Sequence, residues 1–308
     1  MALQRIGYVD LPPHANAGGF DHAAVHSGTG RVYVAHTAND AVDVIDGENR
    51  RYVASIHDLG AVAGALVSED HDLVFTSNRG ENTVGIFAPA DSPAVTKVGV
   101  GVRPNGLAYA PEVNLLLAAN VGDPGVPGSF TVSLVDVRSR KLVSEVPVLG
   151  RTRWPVYDSV SQAFYVNIAD PPQIAVVDGR RHRIARTITI PAAGPHGLDI
   201  DGEGRRLFCA CDGKALIELD VDSGDVLRIA ELGGVPDVIF FNRRRRRLYV
   251  AIGDPGLIEV FDTDEWRKCE TIPTERGAHT IGFDAARDVV YAFLPETHRA
   301  AVFLDRAA

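Results

Sequence analysis

A four-strand pattern recurs along the whole chain about every 42 residues. Its clearest copy spans residues 191–234, where four short segments alternate apolar and polar residues and are separated by Gly, Asp and Ser. Alternation with a period of two, broken by turn residues, indicates consecutive antiparallel strands. One small sheet of this kind cannot bury its faces alone, so the copies must pack against one another. Four strands in a repeat of this length predict a blade of a β-propeller.

A single register aligns seven copies of the repeat. Twelve residues after the residue that precedes the first strand, each copy has a bulky apolar residue in its second strand: Tyr33, Phe75, Leu117, Tyr165, Phe208, Tyr249 and Tyr291. The chain is therefore predicted to be an all-β, seven-bladed β-propeller with four antiparallel strands per blade. The blades are expected to start near residues 19, 61, 103, 151, 194, 235 and 277.

The two ends of the chain are predicted to close the ring together. The last copy has only three strands, whereas residues 3–11 have the pattern of a strand without a blade of its own. We expect residues 3–11 to form the outer strand of blade seven, because this leaves no unpaired closing edge. Residues 1–308 are then one propeller domain.

Composition narrows the possible partners and compartments. The net charge of −9 disfavours a general nucleic-acid binder, and no apolar run approaches the ~18 residues of a membrane span. Five consecutive arginines, residues 243–247, fall in a predicted hairpin, where a solvated turn is the expected role. Three cysteines give no disulfide framework, and the N-terminus has no long apolar signal core. A cytoplasmic location is predicted, with no nucleic acid and no membrane as partner.

Several segments resemble the YVTN repeat of YncE-like β-propellers. They are RVYVAHTANDAVDVID, RPNGLAYAP followed by NLLLAAN, and RRLYVAIGDPGLIEVFD. The resemblance extends over nearly the whole chain and implies a seven-bladed propeller. It implies no single activity, because related propellers include lactonases, dehydrogenase subunits and proteins of unknown role. Many YVTN proteins are exported, but this sequence shows no export signal.

In a propeller, the starts of the inner strands and the ends of the second strands surround one mouth of the central channel. The inner-strand starts are mostly polar here: Asp21 with His22, Ala63, Asn105, Arg153 with Trp154, His196, Asp237 and His279. The second-strand ends are polar as well: His36, Asn78 with Arg79, Asn120, Asn167 and Asp212. A ring with only a structural role could be built from Gly, Ala and Val.

One sector of this ring predicts a metal site. Blades five, six, seven and one are neighbours, and they contribute imidazoles and carboxylates. Such groups bind divalent Zn, Fe, Mn, Ni or Cu. The predicted ligands are His196, His279 and His22, with His36 as a further ligand or supporting partner. Asp237 or Asp21 would act as a ligand or as a general base.

The opposite sector predicts an anion clamp. Guanidinium groups suit a carboxylate or phosphate, and an indole ring offers a flat apolar wall. The expected substrate-binding residues are Arg79, Arg103, Asn105, Arg153 and Trp154. Together the two sectors predict a metal-dependent enzyme for a small, anionic molecule, with lactone hydrolysis, lyase or isomerase chemistry.

Two alternatives stay open. The polar ring could line a channel without chemistry, and the propeller could be a non-catalytic scaffold that binds a protein partner. The Gly- and Pro-rich insertion at residues 121–129 could be a lid beside the mouth or a plain surface loop. The remaining histidines of turns and outer strands are expected at the surface: His14, His57, His71, His182 and His298.

Overall fold

The computed structural model describes residues 3–306 as seven four-stranded sheets. The strands of blades one to three are β2 (Ala23–His26), β3 (Arg31–His36), β4 (Ala41–Asp46), β5 (Arg51–Ile56), β6 (Val62–Ser68), β7 (Leu73–Asn78), β8 (Thr83–Phe87), β9 (Thr96–Gly99), β10 (Pro104–Ala110), β11 (Leu115–Asn120), β12 (Thr131–Asp136) and β13 (Lys141–Pro147). Those of blades four and five are β14 (Thr152–Asp158), β15 (Ala163–Ile168), β16 (Gln173–Asp178), β17 (Arg183–Thr189), β18 (Pro195–Asp201), β19 (Arg206–Cys211), β20 (Ala215–Asp220) and β21 (Val226–Glu231).

Blades six and seven complete the ring. Their strands are β22 (Val235–Asn242), β23 (Arg247–Asp254), β24 (Leu257–Asp262), β25 (Arg267–Pro273), β26 (Ile281–Asp284), β27 (Val289–Leu294), β28 (Arg299–Asp305) and the N-terminal β1 (Leu3–Asp10). Two short 3-10 helices, Thr37–Asn39 and Pro111–Val113, interrupt the strands. Within residues 3–306, no helix has the length and apolar character needed to cross a bilayer.

The N-terminal strand closes blade seven, as the sequence predicts. β1 pairs antiparallel with β28, from Leu3 opposite Asp305 to Asp10 opposite Arg299, and the sheet runs β26, β27, β28, β1 from inside to outside. The seven-bladed fold with four antiparallel strands per blade is thus confirmed.

Turn residues define the strand ends. The aspartates that end third strands accept hydrogen bonds from backbone N–H groups of the following turn, as Asp46 does from Asn49 at 3.0 Å and Asp220 from Ser223 at 2.9 Å. Such Asx turns satisfy backbone donors that leave the strand ladder. Asp305 is the exception, because it accepts from the Tyr249 hydroxyl and pairs with Arg247 of blade six.

The core lies between the blades. The seven second-strand residues that define the register are all buried, at most 2% exposed. Each apolar cluster joins adjacent sheets; in one of them, Leu117 and Leu134 of blade three pack with Phe164 and Val166 of blade four. Burial on both faces explains why these strands are almost continuously apolar, and it makes the inner strands a rigid frame for the channel.

The arginine run lies at the turn between β22 and β23, where the sequence predicts a hairpin. Its members face carboxylates of both neighbouring blades as well as solvent. Arg244 and Arg245 pair with Asp288 of blade seven at 2.7 and 2.9 Å, and Arg246 pairs with Asp201 of blade five at 2.7 Å. The run therefore links three blades at the face opposite the polar mouth.

Tyr249 and Tyr33 occupy equivalent positions in blades six and one, but the free energy of unfolding should depend only on the hydroxyl group of Tyr249. The Tyr249 hydroxyl contacts Asp305 and Asn242, both buried, whereas the buried Tyr33 hydroxyl has no partner among residues 3–306. Tyr249→Phe should lower the free energy of unfolding by about 1–3 kcal/mol, because it leaves buried polar groups unpaired. Tyr33→Phe, the matched control, should leave it unchanged or raised. Urea denaturation of both variants tests this, and equal losses would contradict it.

Candidate functional site

The polar mouth depends on the close approach of neighbouring inner strands. Gly197 follows His196 at the start of β18, and a Cβ atom at position 197 would lie 2.3 Å from the Asp237 carbonyl oxygen of blade six. A larger residue there would push the two strands apart. The glycine therefore allows the side chains of His196 and Asp237 to meet across the blade boundary.

The Asp237 carboxylate joins three blades. Its Oδ1 lies 3.1 Å from Nε2 of His196 in blade five, and its Oδ2 lies 2.7 Å from Nδ1 of His279 in blade seven. The other nitrogen of His196, Nδ1, donates to Asp212 Oδ1 at 2.7 Å. Gly194 has a left-handed φ of 62°, and a Cβ atom there would meet the Asp212 side chain at under 3 Å. The sequence thus provides room for an imidazole held between two carboxylates.

This arrangement holds His196 in its charged form. Burial alone would lower its pKa, but the charge of Asp237 and hydrogen bonds to Asp212 and Asp237 outweigh burial and raise the pKa to about 9. Arg153 opposes the charge, since its Nη1 lies 3.0 Å from His196 Nε2. Two carboxylates against one guanidinium favour the protonated ring. Burial would likewise raise the pKa of Asp237, yet the two imidazoles hold it well below its usual range.

His279 offers a free ring nitrogen. Its Nδ1 faces Asp237, and Nε2 has no hydrogen-bond partner within residues 3–306, while the side chain is 34% exposed. Burial lowers the pKa of His279, but the hydrogen bond to Asp237 and the charge of that group raise it overall. A carboxylate on Nδ1 fixes the ring orientation and the tautomer, so Nε2 can accept or donate a proton at the mouth.

In blade one, Asp21 and His22 do not join the Asp237 cluster through a hydrogen bond. Asp21 pairs with Arg79 at 2.8 Å and lies 3.4 Å from His22 Nε2. His22 is 5% exposed, and its pKa is lowered mainly by burial, which Asp21 only partly opposes. Its ring centroid lies 4.0 Å from that of Trp154, across the channel from blade four. The two rings form the floor of the mouth.

Arginines crowd the other side of the mouth. Partial burial, followed by the charges of Arg153, Arg103 and Arg79, lowers the pKa of Arg151. The Nε atoms of Arg79 and Arg153 are buried and have no partner within the described chain, and the same is true of Oδ1 of Asn105. Buried polar groups are normally satisfied, so these unpaired guanidinium donors are candidates for contact with an anion.

The structure places His36 in a different cluster from the other predicted ligands. Its ring is fully buried; Nδ1 faces Asp43 at 2.7 Å and Nε2 faces His14 at 2.7 Å. The rings of His14 and His298 lie 4.4 Å apart, so these two histidines are half-buried instead of lying free at the surface as expected. His57, His71 and His182 are exposed, as expected.

The predicted metal site needs a different arrangement from the one observed. Among residues 3–306, no group of three or more His, Cys, Asp or Glu side chains has a geometry that could hold a metal ion. Both nitrogens of His196 face carboxylates, so neither is directed to a common point with His279 and His22. Metal binding therefore stays a prediction, and it would require these side chains to rotate.

Sequence reasoning overlooked the roles of Asp212 and Arg151. Asp212 directly follows the second strand of blade five, as Arg79 does in blade two, and the register of the repeat places Asp212 at the mouth without indicating its partner. Arg151 lies two residues before Arg153, immediately ahead of β14, and alternation along an extended segment would have placed both on the same side. Both could have been identified from position, but not from a motif.

Comparisons with known proteins show the fold alone. No family model matches the chain, and no curated protein matches it, so the YVTN-type family stays an expectation from the resemblance. Solved structures do match. One is the hydrazine synthase of Kuenenia stuttgartiensis, which is 11% identical in sequence, with a TM-score of 0.81, 96% of this chain and 98% of that chain covered. At this identity the likeness supports a β-propeller and carries no activity over.

Proposed function

We propose that the channel mouth is an active site that binds a small anionic molecule and catalyses proton transfer on it. One observation carries the proposal: unpartnered Nε donors of Arg79 and Arg153 lie at the same mouth as His279, whose Nε2 is free. The chain as a whole is acidic, with a net charge of −9. A cluster of arginines at one mouth would nevertheless attract anions locally.

Each side chain has a role in this reaction. Arg79 and Arg153 bind the carboxylate or phosphate of the substrate, and Trp154 supports its apolar part. The neutral form of His279, oriented by Asp237, takes a proton through Nε2 from the carbon next to the carboxylate, and the raised pKa of the ring makes it a stronger base. The C–H electron pair moves into an enolate whose charge the arginines stabilise. The imidazolium then returns the proton to a leaving group, in a lyase, or to a neighbouring atom, in an isomerase.

A metal-dependent reaction, such as lactone hydrolysis by metal-activated water, is the other form of this proposal. It would need His196 and His279 to rotate away from Asp237. Elemental analysis distinguishes the two forms. Near-stoichiometric metal in the wild type, absent from a folded variant with His196→Ala and His279→Ala, would replace the acid–base mechanism with the metal-dependent one.

Anion binding should depend on Arg153. With inorganic phosphate as probe, Arg153→Gln should weaken binding at least about tenfold, because it removes a charge-assisted contact. The matched control is Arg183→Gln, which removes an exposed arginine from the outer strand of the same blade. Isothermal titration calorimetry measures both. Equal affinity in the two variants, or no binding by the wild type, would contradict the anion site and favour the protein-binding scaffold.

Phosphate affinity should fall as the pH rises through about 9. The pKa of His196 is raised from 6.5 to about 9, so the ring is cationic below that pH and neutral above it. The same shift stabilises the fold: its contribution is complete below pH 6.5 and is lost as the pH rises through about 9. Titrations at several pH values should show this step in the wild type and not in His196→Gln. A step of equal size in the variant would assign it to other groups.

Catalysis should be visible as hydrogen exchange. A pool of small carboxylic acids incubated with the protein in D2O should contain a member that gains deuterium at the carbon next to its carboxylate, as measured by mass spectrometry. His279→Gln should abolish this exchange and retain phosphate binding, whereas Arg183→Gln should retain both. Exchange that persists in His279→Gln would exclude His279 as the base. If the wild type binds phosphate but no acid of the pool gains deuterium, the mouth is an anion-binding site without the proposed catalysis.

A further inference from the structure

Below the mouth, the channel continues as a second, separate cavity. It has a volume of about 350 Å³, and its wall includes His22 and Trp154, whose rings are tilted by 49° to each other, whereas no arginine of the mouth lines it. Inner strands run from the mouth to the opposite face, and the half-buried side chains late in these strands, such as Val25, Val67 and Ile200, line its far end. The cavity therefore opens toward the opposite face, at a size typical of small-ligand pockets.

Aromatic rings form much of its wall. Five of them come from four different blades, and they are Tyr109, Trp154, Tyr157, Phe240 and Phe283. Phe240 packs edge-on to Trp154 at 6.2 Å and lies 6.4 Å from Phe283, so three of the rings form a continuous arc. Aromatic faces carry partial negative charge and bind organic cations when several surround one space.

A single carboxylate lies in this wall. Asp199, in the middle of β18, accepts hydrogen bonds from the backbone N–H of Phe241 at 2.6 Å and from its own neighbour Ile200 at 2.8 Å. Within residues 3–306 it forms no ion pair. Burial, with a smaller contribution from Asp201, outweighs these hydrogen bonds and raises the pKa of Asp199 to about 6. At neutral pH the cavity therefore holds a carboxylate that is mostly ionised and has no counter-ion.

We propose that this cavity binds an organic ammonium ion, with the Asp199 carboxylate as its counter-ion and the aromatic arc around its apolar body. A primary or secondary amine with a group the size of a phenyl ring matches the chemistry of the wall. This site is independent of the proposed function, because no arginine of the mouth lines the cavity and the cavity selects the opposite charge. An anion that binds at the mouth would be repelled from this cavity by the Asp199 carboxylate.

Trp154 provides a reporter for the test. The chain has two tryptophans, so in a Trp266→Phe background the fluorescence comes from Trp154 at the cavity roof. The probe is 2-phenylethylammonium, compared with the neutral 2-phenylethanol and the anionic 3-phenylpropanoate. The ammonium should bind at least about tenfold more tightly than the alcohol, since only the cation gains the carboxylate and the ring faces. The anion should not compete with the ammonium, because any binding of the anion to the arginines of the mouth lies outside this cavity.

Variants locate the site. Asp199→Asn should weaken ammonium binding at least about tenfold, and Phe240→Leu should weaken it several-fold, because each removes one partner of the cation. The matched control, Asp225→Asn, removes an exposed carboxylate elsewhere in blade five and should change nothing. If Asp199→Asn fails to fold, the affinities of the wild type for the ammonium and for the alcohol decide whether the cavity selects a cation. Equal affinity for the two, absence of binding, or full binding by folded Asp199→Asn would overturn the proposal. Phosphate binding at the mouth is measured separately and does not depend on this outcome.

Discussion

The bond between Asp237 and its two histidines is the interaction on which the site depends. One carboxylate in blade six holds an imidazole of blade five and an imidazole of blade seven, at 3.1 and 2.7 Å. It keeps His196 charged and fixes the ring of His279, so the electrostatics and the proton chemistry of the mouth share one origin. The shared carboxylate requires close inner strands, which Gly197 allows, and a closed ring, which the pairing of β1 with β28 secures.

Most of the fold could be predicted from the sequence because the repeat determines it. Alternation within each copy predicts the strands, and the bulky residue at a fixed position predicts the core between blades. The same register correctly brought His196, Asp237 and His279 to one mouth, since inner-strand starts of consecutive blades are neighbours in a ring. Position along a strand was enough for these conclusions.

Side-chain direction and protonation could not be predicted in this way. His36 is the last residue of a second strand, one position before the residue that corresponds to Asp212, and its ring faces Asp43 and His14 instead of the mouth. The charge of His196 depends on two carboxylates within about 3 Å, a distance that no spacing in the sequence encodes. The metal prediction rests on neutral imidazoles, whereas the contacts with Asp237 and Asp212 favour the charged form of His196.

The central claim is that His196 is a cation held by Asp237 and Asp212 at neutral pH. An NMR titration of the imidazole signals tests it most directly, with His196 assigned by comparison with His196→Gln. The His196 resonance should titrate near pH 9 in the wild type and at clearly lower pH in Asp237→Asn. A His196 that titrates at or below pH 6.5 in the wild type would show a neutral ring, and it would contradict the anion site and the acid–base mechanism built on it.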